Sequence, residues 1–394
     1  MTDLRPRPTA KIGLINSLVG IRGVFSAVVV LIHLAPFAIR LTPAGAPGWE
    51  AIWHNGYVAL DLFFVLSGFV ITHGYRTTFS SGVRRGAYGR FLWARLARFY
   101  PTHLAVLALL VGAVGVAAAA GIPLDRVGDL GGDLLRHILL TQGWGGAEHL
   151  SWNGPTWSLS SEWFCYLVFP FLVPLIIRFR TPLAVLAGYL AAMAVPLVAY
   201  GFLGFGDAQI TYQAPLWRAA GEFLAGAFLS QLMIHVPRLS EACGRLTGVL
   251  ASAGIAAIAV LAWAGAPAML AVPLLGLFVL GLAQQRGRLA AVLCTRPLLV
   301  AGDLAVALFL VHVPWLLLAT RFVTPQRFPG GWGWLGVVLL IGGAVGVAIV
   351  MRALVERPSA RVMRRMVPRP SPAPVTVGAA APVGAPSVGS RTED

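Results

Sequence analysis

Charge is scarce in this chain and lysine almost absent: 11% of its 394 residues are charged, and Lys11 is the single lysine among 30 basic residues. An ordinary soluble domain carries about 25% charged residues. A sequence that is 57% hydrophobic and so poorly charged excludes a soluble protein of one or two compact domains. Acidic residues number only 15, which leaves a net charge of +15. Concentrated on one soluble face, that balance would fit nucleic acid, but the arginines are dispersed between apolar runs, so no nucleic-acid partner is expected. The three cysteines, Cys165, Cys243 and Cys294, are too few and too far apart for a disulfide framework or a zinc site, and no metal is expected. Also missing are a glycine-rich phosphate loop and a GxSxG elbow in a convincing context.

What the chain has is apolar length. The run from Leu14 to Pro36 exceeds a secretory signal and lacks a small-residue cleavage site, so it is read as a retained first span. Further runs able to cross about 30 Å of hydrocarbon lie near 57–75, 100–119, 156–177, 182–204, 215–235, 246–264, 268–284, 298–319 and 333–355. The stretch Leu246–Leu282 is too long for one helix, and Ala264-Gly265-Ala266-Pro267 supplies its break. The expectation is an all-α polytopic bundle of ten transmembrane helices over residues 14–357, after an N-terminal tail of residues 1–13. Residues 358–394 are expected to be a basic, then Pro/Ala-rich disordered tail. Basic residues in short loops stay on the cytoplasmic side. With the N-terminus inside, 23 of the 30 basic residues fall there and six outside. Both termini are therefore expected in the cytoplasm, with the bundle as a multi-pass protein of the cell membrane, in contact with lipid.

An ionisable side chain inside a span costs about 2.5–3.5 kcal/mol on insertion scales and asks for a partner, a cavity or a function. In the first span Arg22 and His33 are eleven residues apart, three turns and about 20°, so they share one face roughly 16 Å apart along the axis. Taken singly, Arg22 reads equally well as a snorkelling arginine and His33 as a histidine satisfied by a neighbouring helix. Alternating helix directions bring Asp61, Glu162, the i,i+4 pair Arg218 and Glu222, and His312 to the outer half, the common depth that a shared site requires. Arg218 with Glu222 also reads as a structural pair, and Asp303 falls on the opposite face from His312. Six arginines between Arg76 and Arg98 occupy the next cytoplasmic loop. They fit positive-inside charge facing anionic lipid, or a site for a polyanion such as a nucleotide phosphate, which guanidinium binds bidentately.

In order along the chain, these residues resemble the acyltransferase-3 family of multipass membrane acyltransferases. The first span holds Arg22, ten residues and His33. The second, GYVALDLFFVLSGFVIT, carries Asp61, Phe63, Phe64, Ser67, Gly68 and Phe69 in the family's Asp-x-Phe-Phe-x-x-Ser-Gly-Phe pattern. RLARFYP follows with Arg95 and Arg98, then PTWSLSSEWFCYLVFP with Trp157, Ser158, Glu162 and Tyr166, WRAAGEFLAGAFL with Arg218, LFLVHVP with His312, and VERPSARVMRR. The match departs from the family before His312, where Asp303 and Ala305 stand in place of a Ser-Tyr pair. An extracellular esterase-like domain, which some relatives carry, is not expected from the short tail that follows the last span.

The resemblance implies O-acyl transfer from a cytoplasmic acyl-CoA co-substrate, acetyl-CoA in the first instance, with no bound cofactor. The acceptor would be a hydroxyl of a sugar, a glycan or a natural product. A hydroxyl attacks a thioester only when a base takes its proton, and His33, with an ordinary pKa of about 6.5, is the placed side chain suited to that. Glu162, and after it Asp61, would orient the imidazole, and an acyl-histidine step stays open. Arg22, Arg95 and Arg98 would hold the donor's phosphates or pantetheine arm, while Ser67 and Gly68 would let the first two spans approach closely. Trp157, Ser158, Tyr166, Arg218 and His312 complete the expected site. The competing class is a transporter or flippase, which would need discontinuous helices at matching positions of two halves. No such pair is visible in the sequence.

Overall fold

A computed structural model of the chain describes residues 15–121, 130–145, 149–202, 204 and 213–366. The expected tail of residues 1–13 and all but the first residues of the expected C-terminal tail lie outside them. Helices joined by short turns and loops make up the described residues, with no strand among them. The helices are α1 (Asn16–Leu41), α2 (Ala46–Asn55), α3 (Val58–Phe79), α4 (Arg85–Ala119), α5 (Leu130–Leu139), α6 (Trp157–Ile176), α7 (Pro182–Gly201) and α8 (Pro215–His235). They continue with α9 (Pro237–Arg245), α10 (Thr247–Trp263), α11 (Val272–Ala283), α12 (Gly287–Leu293), α13 (Arg296–Ala319), α14 (Gly333–Met351), a π-turn at Arg352–Glu356 and α15 (Arg357–Arg365). Each of the ten apolar runs is a helix. Seven segments among the described residues are long and apolar enough to cross a membrane, and two more qualify if the pairs Pro215–His235 with Pro237–Arg245 and Ala268–Ala283 with Gly287–Leu293, bent by 105° and 77°, each count as one span. Helix α10 is apolar but has 17 residues. The expected break after it is present, with Gly265 at φ +66°.

One boundary differs from expectation. The arginine-rich stretch is not a loop, because α4 begins at Arg85 and carries Arg90, Arg95 and Arg98 within it. Their charge marked the stretch as aqueous by hydropathy, yet the helix runs on through Pro101 to Ala119, and one of the arginines lies along aromatic surface. The Arg95 guanidinium sits 5.5 Å from the Tyr75 ring centroid and 5.8 Å from that of Phe91.

Two helix pairs frame the site. In the first, α1 runs parallel to α13: Ser26 donates to the Ala305 carbonyl at 3.3 Å, and further along both helices His33 meets His312. In the second, α3 crosses α8 through reciprocal glycines. A Cβ on Gly68 would lie 1.9 Å from the Phe223 carbonyl oxygen, and one on Gly226 the same distance from that of Val65. Only residues without a side chain allow this approach, since transmembrane association depends on close van der Waals packing. The expectation that Gly68 serves the contact of the first two spans is therefore corrected: its partner is α8. Helix α3 instead meets α1 antiparallel, with Phe25 and Phe63 edge to face at 5.8 Å.

Candidate active site

A cavity of about 130 Å³ opens between α1, α3, α4, α6 and α13. Arg22, Arg95 and Arg98 line it together with Glu162, Ser67 and Tyr166, and the rest of its wall is apolar, including Phe63, Phe64, Val306 and Phe309. Three guanidiniums thus face one carboxylate. Among the described residues neither Arg22 nor Arg98 forms an ion pair, and Arg95 Nε is buried without an acceptor. A half-buried cationic wall with donors to spare suits an anion.

Glu162 sits one turn into α6 because the preceding segment is tied down. Ser160 Oγ donates to the Leu140 carbonyl at 2.7 Å, Ser161 Oγ to that of Gly143 at 3.1 Å, and Asn153 Nδ2 to that of Leu310 at 2.8 Å. His137, on the short helix α5 outside the spans, stays neutral there, its pKa pushed down to about 4 by burial. With the start of α6 so fixed, Ser67 Oγ and Tyr166 OH both donate to Glu162 Oε1, each at 2.5 Å, and lie 3.0 Å from one another. Ser158 faces the same cavity, its hydroxyl donating to the Pro155 carbonyl at 3.1 Å.

His33 is placed differently from expectation. Its Nδ1 lies 2.9 Å from the Val29 carbonyl oxygen and 3.3 Å from His312 Nε2, with ring centroids 4.9 Å apart. Neither expected carboxylate reaches it. Glu162 is engaged by Ser67 and Tyr166, and the fully buried Asp61 pairs with Arg218. Arg218 Nε is also 3.9 Å from Glu222 Oε1, and its guanidinium packs over the rings of Tyr57 and Trp157 at 5.2 and 5.7 Å. Asp61, Arg218 and Glu222 therefore form a buried charge cluster between α3 and α8. Phe309 of the cavity wall packs against the histidine pair, its ring 5.9 Å from that of His312, so the pair stands one side chain beyond the cavity. Asp303 points away, 3.1 Å from Arg352 of the π-turn that follows α14. No group of three or more His, Cys, Asp or Glu side chains among the described residues could hold a metal ion. The sequence placed His33 and His312 at one depth but did not pair them; they are 279 residues apart.

Known proteins bear on this arrangement. No solved structure matches the chain. A 104-residue stretch is 36% identical to protein 2 in the picA locus of Rhizobium radiobacter, covering 26% of this chain and 48% of that protein. A 156-residue stretch is 30% identical to acyltransferase MdmB of Streptomyces mycarofaciens, covering 39% of this chain and 38% of the relative. The chain thus aligns with less than half the length of either relative. The acyltransferase domain family, by contrast, matches residues 15–353, a range that holds every helix lining the cavity, and on that match this multipass membrane protein belongs to the acyltransferase-3 family.

Proposed function

We propose that the protein is an O-acyltransferase that moves an acyl group, acetyl in the first instance, from cytoplasmic acyl-CoA to a hydroxyl of a sugar, glycan or related natural product. The observation that carries this reading is the cavity itself, with Arg22, Arg95 and Arg98 in its wall and the His33–His312 pair one side chain beyond it. The guanidiniums bind the donor's phosphates, and the apolar wall accepts the pantetheine arm and the acyl chain. His33 takes the proton of the acceptor hydroxyl as that oxygen attacks the thioester carbon, and the CoA thiolate leaves. Charge in the connecting segments supports a donor side that faces the cytoplasm. Nothing in this reading requires a bound cofactor.

The test is transfer of labelled acetyl from acetyl-CoA by the protein purified in detergent, with sugars and glycans as acceptors. Arg98→Ala is expected to raise the apparent KM for acetyl-CoA more than it lowers kcat, because its contact is shared by ground and transition states. Activity that falls at unchanged KM would refute the phosphate assignment.

The same reading fixes orientation. Reporter fusions near Gly48 and Gly145 are expected to score as extracytoplasmic, and those near Gly82 and Arg288 as cytoplasmic. A reversed score at any of the four breaks the topology.

A further inference from the structure

The histidine pair contains its own proton assignment. His312 is fully buried, and its Nδ1 lies 2.7 Å from the Phe309 carbonyl oxygen and 3.2 Å from that of Leu308. A carbonyl only accepts, so Nδ1 carries the hydrogen, and in the neutral ring Nε2 is a bare acceptor. That acceptor lies 3.3 Å from His33 Nδ1, whose other neighbour, at 2.9 Å, is the Val29 carbonyl oxygen. Both groups facing His33 Nδ1 are thus acceptors. The proton of a neutral His33 resides on Nδ1, and Nε2 holds the lone pair.

We propose that His312 is the positioning residue of His33: together with the Val29 carbonyl it holds the Nδ1–H tautomer, and its Nε2 keeps accepting from Nδ1–H while the ring is cationic. The proposal rests on His33 as the base and fills the role that the sequence assigned to a carboxylate. In the step, the acceptor O–H bond breaks and its proton goes to His33 Nε2. The oxygen bonds to the thioester carbon, the C–S bond breaks, and the same proton passes from Nε2 to the departing thiolate. His33 ends neutral, and Nδ1–H stays on His312 throughout.

The surroundings leave this task to His312. On α3 Asp61 is committed to Arg218, while His73, Tyr75 and Arg76 lie about three turns or more further along that helix, and on α13 Asp303 is committed to Arg352. On α1 itself Arg40 donates to the Pro36 carbonyl at 3.2 Å. Glu50 and His54 of α2 are exposed, and the sequence of α14 contains no titratable side chain. Among the described residues no carboxylate or guanidinium hydrogen-bonds to either ring.

Nitrogen-15 spectra of histidine-labelled protein in detergent, with the His33 signals assigned by their loss in His33→Gln, read the tautomer directly. The expected result is Nδ1–H at His33 in the wild type, with the same tautomer but a shifted Nδ1 signal in His312→Ala, where the Val29 carbonyl is the one acceptor left to it. In the acetyl-transfer assay His312→Ala should lower kcat by about 10-fold or more, the scale on which partners of functional imidazoles act, with the KM for acetyl-CoA unchanged. His312→Gln, whose amide oxygen can accept from Nδ1–H, should restore most of that loss, and it also serves should the alanine variant fail to fold. An Nε2–H signal at wild-type His33, or a glutamine variant as impaired as alanine at equal folded amount, overturns the proposal. Wild-type turnover in His33→Gln would instead sink the base reading, while the tautomer measurement would still report on the pair.

Discussion

Acyl transfer per folded molecule is expected to fall at least about 10²-fold in His33→Ala, the lower end of what a positioned base contributes. His33→Gln should fail to a similar degree, because an amide keeps hydrogen bonding but takes no proton at neutral pH. Donor affinity should stay near that of the wild type in both variants, since the guanidiniums lining the cavity lie on other residues, and Arg22 is roughly 16 Å along α1 from His33. A histidine that only fills space gives a different pattern, with glutamine tolerated and alanine lowering the amount of folded protein. Measuring turnover, folded yield and CoA affinity for both variants separates the two, and an active His33→Gln enzyme ends the mechanism.

The second large effect belongs to the buried charge cluster. Arg218→Ala leaves Asp61 and Glu222 facing each other without their guanidinium in a site where all three side chains are almost fully buried. Breaking a buried ion pair from one side costs about 3–5 kcal/mol, a large share of the roughly 5–15 kcal/mol by which a protein is stable, so the folded yield should fall. The triple variant Arg218→Ala, Asp61→Asn, Glu222→Gln carries no charge there and should recover much of the lost yield. Size-exclusion profiles and thermal unfolding in detergent give the comparison. If Arg218→Ala folds as well as the wild type and loses only activity, the cluster belongs to the chemistry and not to the scaffold.

The two predictions differ in how far the sequence anticipates them. Apolar length places the helices, because a span must hide its backbone polar groups whatever its neighbours are. Hydropathy misplaces the start of α4, since it counts Arg90, Arg95 and Arg98 as aqueous and does not register that Arg95 lies along the rings of Tyr75 and Phe91. Motif order brings Arg22, Ser67, Glu162 and Tyr166 to attention, and the fold gathers them around one cavity. Side-chain partnerships between helices are a different matter. Depth along the membrane normal follows from helix direction, but rotation about each helix axis is set by packing, and it decides whether Asp61 meets His33 or Arg218. The reciprocal crossing of Gly68 and Gly226 fixes the register of α3 on α8, and with it that outcome.

The separation of Asp61 from Arg218, 157 residues along the chain, also bears on how the protein is made. At roughly 5–20 residues per second, ribosomes pass Asp61 about 8 to 30 s before they reach Arg218. Through that interval the carboxylate of Asp61 has no guanidinium, and a span holding it alone is less readily passed into lipid. Helix α3 therefore gains from waiting at the insertion machinery, protonated or shielded by it, until α8 arrives and the two leave together. A charge pair so far apart in the chain thus ties the membrane entry of an early helix to that of a late one.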